Sequence, residues 1–235
     1  MDKQFSISFV LPMYNEKDNI EKAVAMLAAL APRLADDYEI VFVDDASTDG
    51  SADIAETVSS RMPEVKVFRL KENSKFGGAF AEGFRRASKD VIIYMDSDIP
   101  VRPEDIEASF PLIRENDVVS AYSVVKKGDT LKRKIMSLVY NFMVRALFGL
   151  SIRDINSGYK IARRETVKDA VFVSRSPFVD VELFAHAAKK KARIAQFPVT
   201  FLGREGGISY MARPSIILAT FRDMIKVRAA LWTRK

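Results

Sequence analysis

Val91-Ile92-Ile93-Tyr94-Met95-Asp96-Ser97-Asp98 runs five apolar or aromatic residues straight into two carboxylates spaced one residue apart. A stretch that is apolar throughout, with no polar alternation, reads as a central parallel strand buried on both faces. Working back from it, Val65 to Leu70, Glu39 to Val43 and Phe5 to Leu11 read as three more strands. Helical stretches separate them: about Lys17 to Leu30, about Ser51 to Ser60, and one that follows Gly77-Gly78 and ends near Ala87. The order βαβαβαβ predicts an α/β doubly wound, mostly parallel sheet flanked by helices.

In such sheets ligands sit beyond the carboxyl ends of the strands. Three polar clusters fall at those ends: Tyr14-Asn15-Glu16, Asp44-Asp45 and Asp96-Ser97-Asp98. The Gly-x-Gly-x-x-Gly of dinucleotide-binding folds and the Gly-x-x-x-x-Gly-Lys-Ser/Thr of phosphate loops are both missing. Asp96 and Asp98 flank one residue, so their carboxylates can approach a common point. Hard divalent cations such as Mg²⁺ take one or two carboxylates and complete their shell with substrate phosphates. Asp44-Asp45 places two like charges side by side, an arrangement that needs a donor or a ligand to engage one of them. Ser47-Thr48-Asp49-Gly50 reads as a turn and helix cap.

Composition narrows the chemistry. Of the 235 residues 48% are apolar and 29% charged, the balance of a folded chain rather than a disordered one. With no cysteine there are no disulfides, thiolate nucleophiles or cysteine-bound zinc, and His186 alone cannot make a multi-histidine metal site. A metal here is a carboxylate and phosphate metal. The net charge of +6 favours anionic partners. Met1-Asp2-Lys3 leads directly into an apolar run, without the pattern of a secretory signal, and no stretch reaches the ~18 to 20 apolar residues of a spanning helix.

The second half changes character after Lys126-Lys127-Gly128-Asp129. Leu131 to Gly149 carries Lys132, Arg133, Lys134 and Arg145 among Ile135, Leu138, Phe142 and Leu147, and Pro214 to Trp232 carries Arg222, Lys226 and Arg228 among Ile216, Leu218, Phe221 and Ile225. Both read as basic amphipathic helices, suited to packing on a core or to lying on an anionic surface. The expected organisation is a catalytic domain over 1–212, with the helix 131–149 at an interface, and a C-terminal basic helix over 213–235.

Seven segments in order give the chain a resemblance to the family 2 glycosyltransferases of GT-A fold, and among them to the dolichyl-phosphate mannose and glucose synthases. They are Val10 to Glu16, Val43 to Gly50, Asn73 with Gly77-Gly78-Ala79, Met95 to Asp98, Arg153 to Lys160, Phe178 to Leu183, and Arg204 to Ser209. The resemblance implies a nucleotide-sugar donor held by Pro12, Tyr14, Glu16, Asp44 and Gly77, with Asp96 and Asp98 gripping Mg²⁺ or Mn²⁺ on its diphosphate. It implies that Arg204 acts in catalysis and Ser209 at phosphate on a mobile loop, Arg by its planar fork of donors. Asp180 is implied as the acceptor-side carboxylate, with Arg153, Ser157 and Lys160 gathering acceptor phosphate. The implied reaction is inverting transfer of mannose or glucose from GDP-mannose or UDP-glucose to a polyprenyl or dolichyl phosphate, by a protein peripheral at the cytoplasmic face of a membrane. An alternative keeps the enzyme class and changes the acceptor to a saccharide or other hydroxyl, with Asp180 as general base. A basic nucleic-acid-binding protein is disfavoured by the clustered carboxylates, and no nucleic acid is expected as a partner. The chain departs from the family at Tyr122 and Tyr210, where basic residues are common, and at Pro100, where a Gln is frequent.

Overall fold

The computed structural model describes residues 5–124, 131–202 and 214–233. Seven strands form one sheet: β1 Ile7–Met13, β2 Tyr38–Asp44, β3 Val65–Arg69, β4 Val91–Met95, β5 Val118–Ser123, β6 Tyr159–Arg163 and β7 Ile194–Val199, in the order β3-β2-β1-β4-β6-β5-β7. All run parallel except β6, which lies antiparallel between β4 and β5. The helices are α1 Ile20–Leu34, α2 Ser51–Ser59, α3 Lys75–Arg86, α4 Pro103–Ser109, α5 Leu131–Phe148, α6 Arg164–Val167, α7 Val179–Lys189 and α8 Pro214–Thr233. This is the mixed, mostly parallel sheet with flanking helices that the sequence predicts.

The central strands are buried on both faces, as their unbroken apolar runs require. Phe9, Leu11, Ile40, Phe42, Ile93 and Met95 pack with α1 on one side. Val10, Val41, Val43, Ile92 and Tyr94 pack on the other with Phe80 and Phe84 of α3, Phe184 of α7, and Met224 and Val227 of α8. The C-terminal helix thus contributes side chains to a main core.

Two boundaries differ from expectation for identifiable reasons. β1 runs through Pro12, expected in a turn, to Met13. The Met13 carbonyl accepts from Asp45 N–H, so Pro12 faces the β4 side, where pairing has already ended at Val10. No ladder bond is lost there. Gly77 and Gly78, expected ahead of α3, lie inside its first turn. A Cβ on Gly77 would meet the Ser174 carbonyl oxygen at 2.4 Å, so the glycine permits close approach of the 174–175 backbone.

Inserting β6 antiparallel decides where the site is built. Tyr159 pairs with Met95 at the carboxyl end of β4, so the segment entering β6 arrives at the edge where β1, β2 and β4 finish. Residues far apart in sequence are thereby gathered over one sheet edge.

α3 is seated on β1 through Gly83, where an added Cβ would lie 2.4 Å from a Val10 methyl. Val10 is fully buried and β-branched, so it has little room to turn. Gly83→Ala is expected to lower the melting temperature by roughly 2–6 °C, because overpacking of ~1–3 kcal/mol outweighs the ~1 kcal/mol of helix propensity gained. An unchanged or raised melting temperature would show that the helix slides at no cost.

Candidate active site

The first two strand-end clusters are laced into one unit. Asn15 and Ala46 both take left-handed backbone, with φ of 57° and 61°. Asn15 N–H donates to Ser47 Oγ at 2.9 Å, Thr48 N–H donates to Asn15 Oδ1 at 2.8 Å, and Glu16 N–H donates to Ser51 Oγ at 2.8 Å. The residues read as a helix cap therefore also fasten the β1 loop to the β2 loop. Like charge at Asp44-Asp45 is managed by the protein itself. Asp44 accepts from Ser47 N–H at 3.2 Å, and Asp45 accepts from Ser74 N–H at 2.6 Å and Ser74 Oγ at 2.7 Å. Burial raises the Asp45 pKa against the pull of those bonds. Tyr14 projects half exposed from this platform, and the Glu16 carboxylate accepts from Asn19 Nδ2 at 2.6 Å.

The third cluster is held differently. Asp96 N–H donates to the Gly158 carbonyl, and Tyr94 Oη donates to Asp96 Oδ1 at 3.0 Å. Gly158 has to lack a side chain, since a Cβ would come within 2.5 Å of Asp96 Oδ2. The turn then closes through Ile99, a β-branched residue at φ 53°, a strained conformation beside the carboxylates. Desolvation, followed by the neighbouring charge of Asp98, raises the Asp96 pKa to about 6. Burial first, then Asp96, Asp180 and Asp98, keeps the Tyr94 phenol protonated far above its usual range. These acids bear on one place. Opposing them is Lys160 on β6, its side chain fully buried and its Nζ 2.9 Å from Asp180 Oδ1. Lys160 also donates to the Ser157 carbonyl.

Among the described residues three carboxylates act on this place with one buried ammonium against them, a negative balance that suits a divalent cation. Among the described residues no group of three or more His, Cys, Asp or Glu is arranged as a metal cage. Asp96 and Asp98 therefore fit a cation whose shell substrate phosphates complete, not one enclosed by protein.

The acceptor-side residues separate into open and enclosed. Arg153 is exposed, its N–H bonded to Gln196 Oε1 at 2.8 Å and its guanidinium 4.9 Å above the Tyr122 ring. It opens on a cleft of about 1100 Å³ that Arg145, Asn141, Leu138, Phe142 and Leu150 also line. Ser157 is buried, and its hydroxyl donates to the Tyr159 carbonyl at 3.2 Å. Lys160, read from sequence as a collector of phosphate, is buried and paired with Asp180. The backbone N–H of Gly77 donates to the Arg175 carbonyl at 3.0 Å. Asp180 and Glu182, at the start of α7, are both 1% exposed. Glu182 accepts from Val173 N–H at 2.8 Å and Ser174 N–H at 3.0 Å, a purely architectural task. His186 also stays structural, its ring edge-on to Phe172. Arg204 and Ser209 lie outside the described residues.

Sequence reasoning passed over Tyr94 and Asn156. Tyr94 was legible as the one hydroxyl in an otherwise apolar strand, a group that seeks a partner when buried. Asn156, which donates from Nδ2 to the Pro177 carbonyl at 2.7 Å, carried no signal beyond its place in a motif.

Known proteins resemble this chain in sequence and in fold. The family model described as Glycosyl transferase family 2 matches residues 8–170. The undecaprenyl-phosphate mannosyltransferase of Micrococcus luteus is 30% identical over 86% of this chain and 86% of its own length. The polyprenol monophosphomannose synthase of Mycolicibacterium smegmatis is 27% identical over 91% of this chain and 83% of its own. Among solved structures, glucosyl-3-phosphoglycerate synthase from Mycobacterium tuberculosis in complex with Mn²⁺ and UDP-glucose superposes with a TM-score of 0.69 at 21% identity, covering 94% of this chain and 79% of its own.

A carboxyl whose pKa rises from 3.8 to about 6 on folding holds its proton more tightly in the native state. Stability is therefore favoured below about pH 3.8 and declines as pH rises through that window to about 6. The shift amounts to ~3 kcal/mol at full burial, which partial solvent contact reduces to about 1–2 kcal/mol. Without divalent cation at pH 7.5, Asp96→Asn should melt roughly 3–6 °C above the unmodified protein. Near pH 4 the two should melt together. Equal melting at pH 7.5 would refute the charge excess.

Proposed function

Because this chain belongs to glycosyl transferase family 2, we propose that it is a metal-dependent inverting glycosyltransferase moving mannose or glucose from GDP-mannose or UDP-glucose to a polyprenyl phosphate of the dolichyl class. The observation that carries this reading is the balance of charge among the described residues at the sheet edge, Asp96, Asp98 and Asp180 against Lys160, together with a cleft that pairs Arg153 with apolar walls. One part suits a metal-bound diphosphate. The other suits a phosphate on a hydrocarbon chain.

In this mechanism the platform of Pro12, Tyr14, Glu16 and Asp44 takes the nucleoside, with Tyr14 exposed for stacking. Gly77 serves it indirectly, by setting α3 against the 174–175 backbone. Asp96 and Asp98 would hold Mg²⁺ or Mn²⁺, which when bound supplies Lewis-acid neutralisation of the departing nucleoside diphosphate. Arg153, aimed by the Tyr122 ring beneath it, receives the acceptor phosphate, and buried Ser157 shapes the loop that carries it. Arg204 and Ser209 are assigned to the phosphates from the late loop. An acceptor phosphate oxygen attacks the anomeric carbon opposite the diphosphate; the new C–O bond forms as the old one breaks, which inverts the centre. A phosphate monoester, with a second pKa of about 6, is already largely ionised at neutral pH. Asp180, fixed by Lys160, therefore orients the acceptor instead of deprotonating it.

A membrane surface fits the same reading. Leu138, Val139 and Phe142 of α5 and Leu218, Phe221 and Ile225 of α8 are exposed, and no described helix is long and apolar enough to cross a membrane. Basic amphipathic helices bind by laying the apolar face into the headgroup region. Residues 1–212 then act as the catalytic domain and 213–235 as a helix seated on it, at the cytoplasmic face.

With purified protein, GDP-mannose or UDP-glucose, dolichyl phosphate and Mg²⁺, Asp98→Ala should lower turnover at least about a hundredfold, the loss expected when ~2.7 kcal/mol of leaving-group stabilisation goes. Full activity in that variant defeats the metal assignment. Turnover with a soluble saccharide but none with polyprenyl phosphate would replace the lipid acceptor by a hydroxyl one. Thermal shift with GDP and UDP in the presence of Mn²⁺ identifies the base.

A further inference from the structure

We propose that Asp223 of α8 is a positioning residue for Asp180, so that the C-terminal helix is a working part of the active site. The inference rests on the reading of Asp180 as the acceptor-side carboxylate.

The segment 173–178 leads into α7, and its donors are divided between two buried acids. Val173 N–H and Ser174 N–H go to Glu182. The next two, Arg175 N–H and Ser176 N–H, both go to Asp223 Oδ2 at 2.9 Å. Asp223 is 4% exposed although it lies on a helix whose neighbouring residues Arg222, Ile225 and Lys226 face solvent. Its other oxygen lies 3.7 Å from the Lys226 ammonium. A buried carboxylate that accepts two backbone N–H groups is a strong, directional clamp.

What the clamp holds is the start of α7. The carbonyls of Ser176 and Pro177 accept from Val179 N–H and Asp180 N–H, so the placement of 176–177 sets the first turn of the helix and the height of Asp180 above the sheet edge. Two further bonds fix the same segment from other sides: Gly77 N–H on the Arg175 carbonyl and Asn156 Nδ2 on the Pro177 carbonyl. Asn156 belongs to the loop that carries Arg153. Elements from four parts of the chain thus meet on six residues next to Asp180, and the carboxylate that α8 supplies comes from outside α7. Met224 and Val227, buried in the same core cluster as Phe178 and Val179, keep α8 in place for that task.

Without the carboxylate, the buried Ser176 N–H and the part-buried Arg175 N–H lose their acceptor, and the segment has to move to satisfy them. Displacement of a reacting group by about 1 Å can cost ~10²-fold in rate. In the full chain, Asp223→Ala should lower kcat by roughly tenfold to a hundredfold while leaving affinity for the nucleoside diphosphate with Mn²⁺ within about twofold. Hydrogen exchange at the amides of 173–180 should quicken in parallel. Asp223→Asn keeps an acceptor oxygen and should fall between the two. Rates are compared at a temperature where melting curves show every variant folded, using GDP-mannose or UDP-glucose, whichever supports turnover, and polyprenyl phosphate in detergent. An unchanged kcat in folded Asp223→Ala, or a parallel collapse of nucleotide affinity, overturns the inference. Asp180→Asn is measured alongside: full turnover there overturns the role of Asp180 and this inference with it, whereas an inactive Asp180→Asn beside a fully active Asp223→Ala overturns the inference alone.

Discussion

Like charges brought together in a part-buried corner raise one another's energy, and this chain holds Asp96, Asp98 and Asp180 within electrostatic reach, with the Lys160 ammonium against them among the described residues. The rest of the molecule makes that corner tolerable. A seven-stranded sheet with both faces covered supplies the rigidity, a tyrosine on the central strand donates to Asp96, and a glycine gives that carboxylate room. Strain at Ile99 lies on the same turn. Binding energy from a cation and a diphosphate is the natural compensation, which is why active sites are often less stable than the folds that carry them.

The antiparallel strand β6 gives the corner its second half. Had all strands run parallel, the loop before β6 would emerge at the opposite edge, and Arg153 to Gly158 would be remote from Asp96. Reversal turns the sequence Arg153 to Lys160 into a bridge: Arg153 opens to the cleft, Asn156 reaches toward α7, Gly158 touches Asp96, and Lys160 anchors Asp180. One short segment thereby couples Asp96, Asp180 and the cleft at Arg153.

Periodicity carried the first four strands and their helices, because a parallel strand buried on both faces must be apolar throughout and leaves a run that is hard to mistake. The carboxylates at strand ends were legible for the same reason. β6 was not, since Tyr159 to Arg163 contains a lysine and an arginine and reads as a surface segment. Its partners, not its composition, bury Lys160. The motif around Arg153 drew attention to the right residues but could not separate the exposed Arg153 from the enclosed Ser157 and Lys160, a distinction that depends on pairing across more than sixty residues of sequence. Asp223 lay in a stretch whose basic and apolar neighbours spoke for a surface, and only the position of its carboxylate against the 175–176 backbone discloses another use.

Burial of an acid does not by itself mark chemistry, and this chain offers the contrast internally. Glu39 is as deeply buried as Asp180, yet desolvation there is outweighed by bonds from Lys66, Ser8 and Ser88, and its pKa falls below the ordinary range. Glu182 and Asp45 are raised by burial, but each has backbone donors from the protein. These acids fasten loops, and their charge is consumed where it stands. Asp96 has a tyrosine and the Lys160 ammonium set against desolvation and the charges of Asp98 and Asp180. The difference is the ratio of donors to negative charge, and a deficit of donors is what a metal-bound diphosphate would make good.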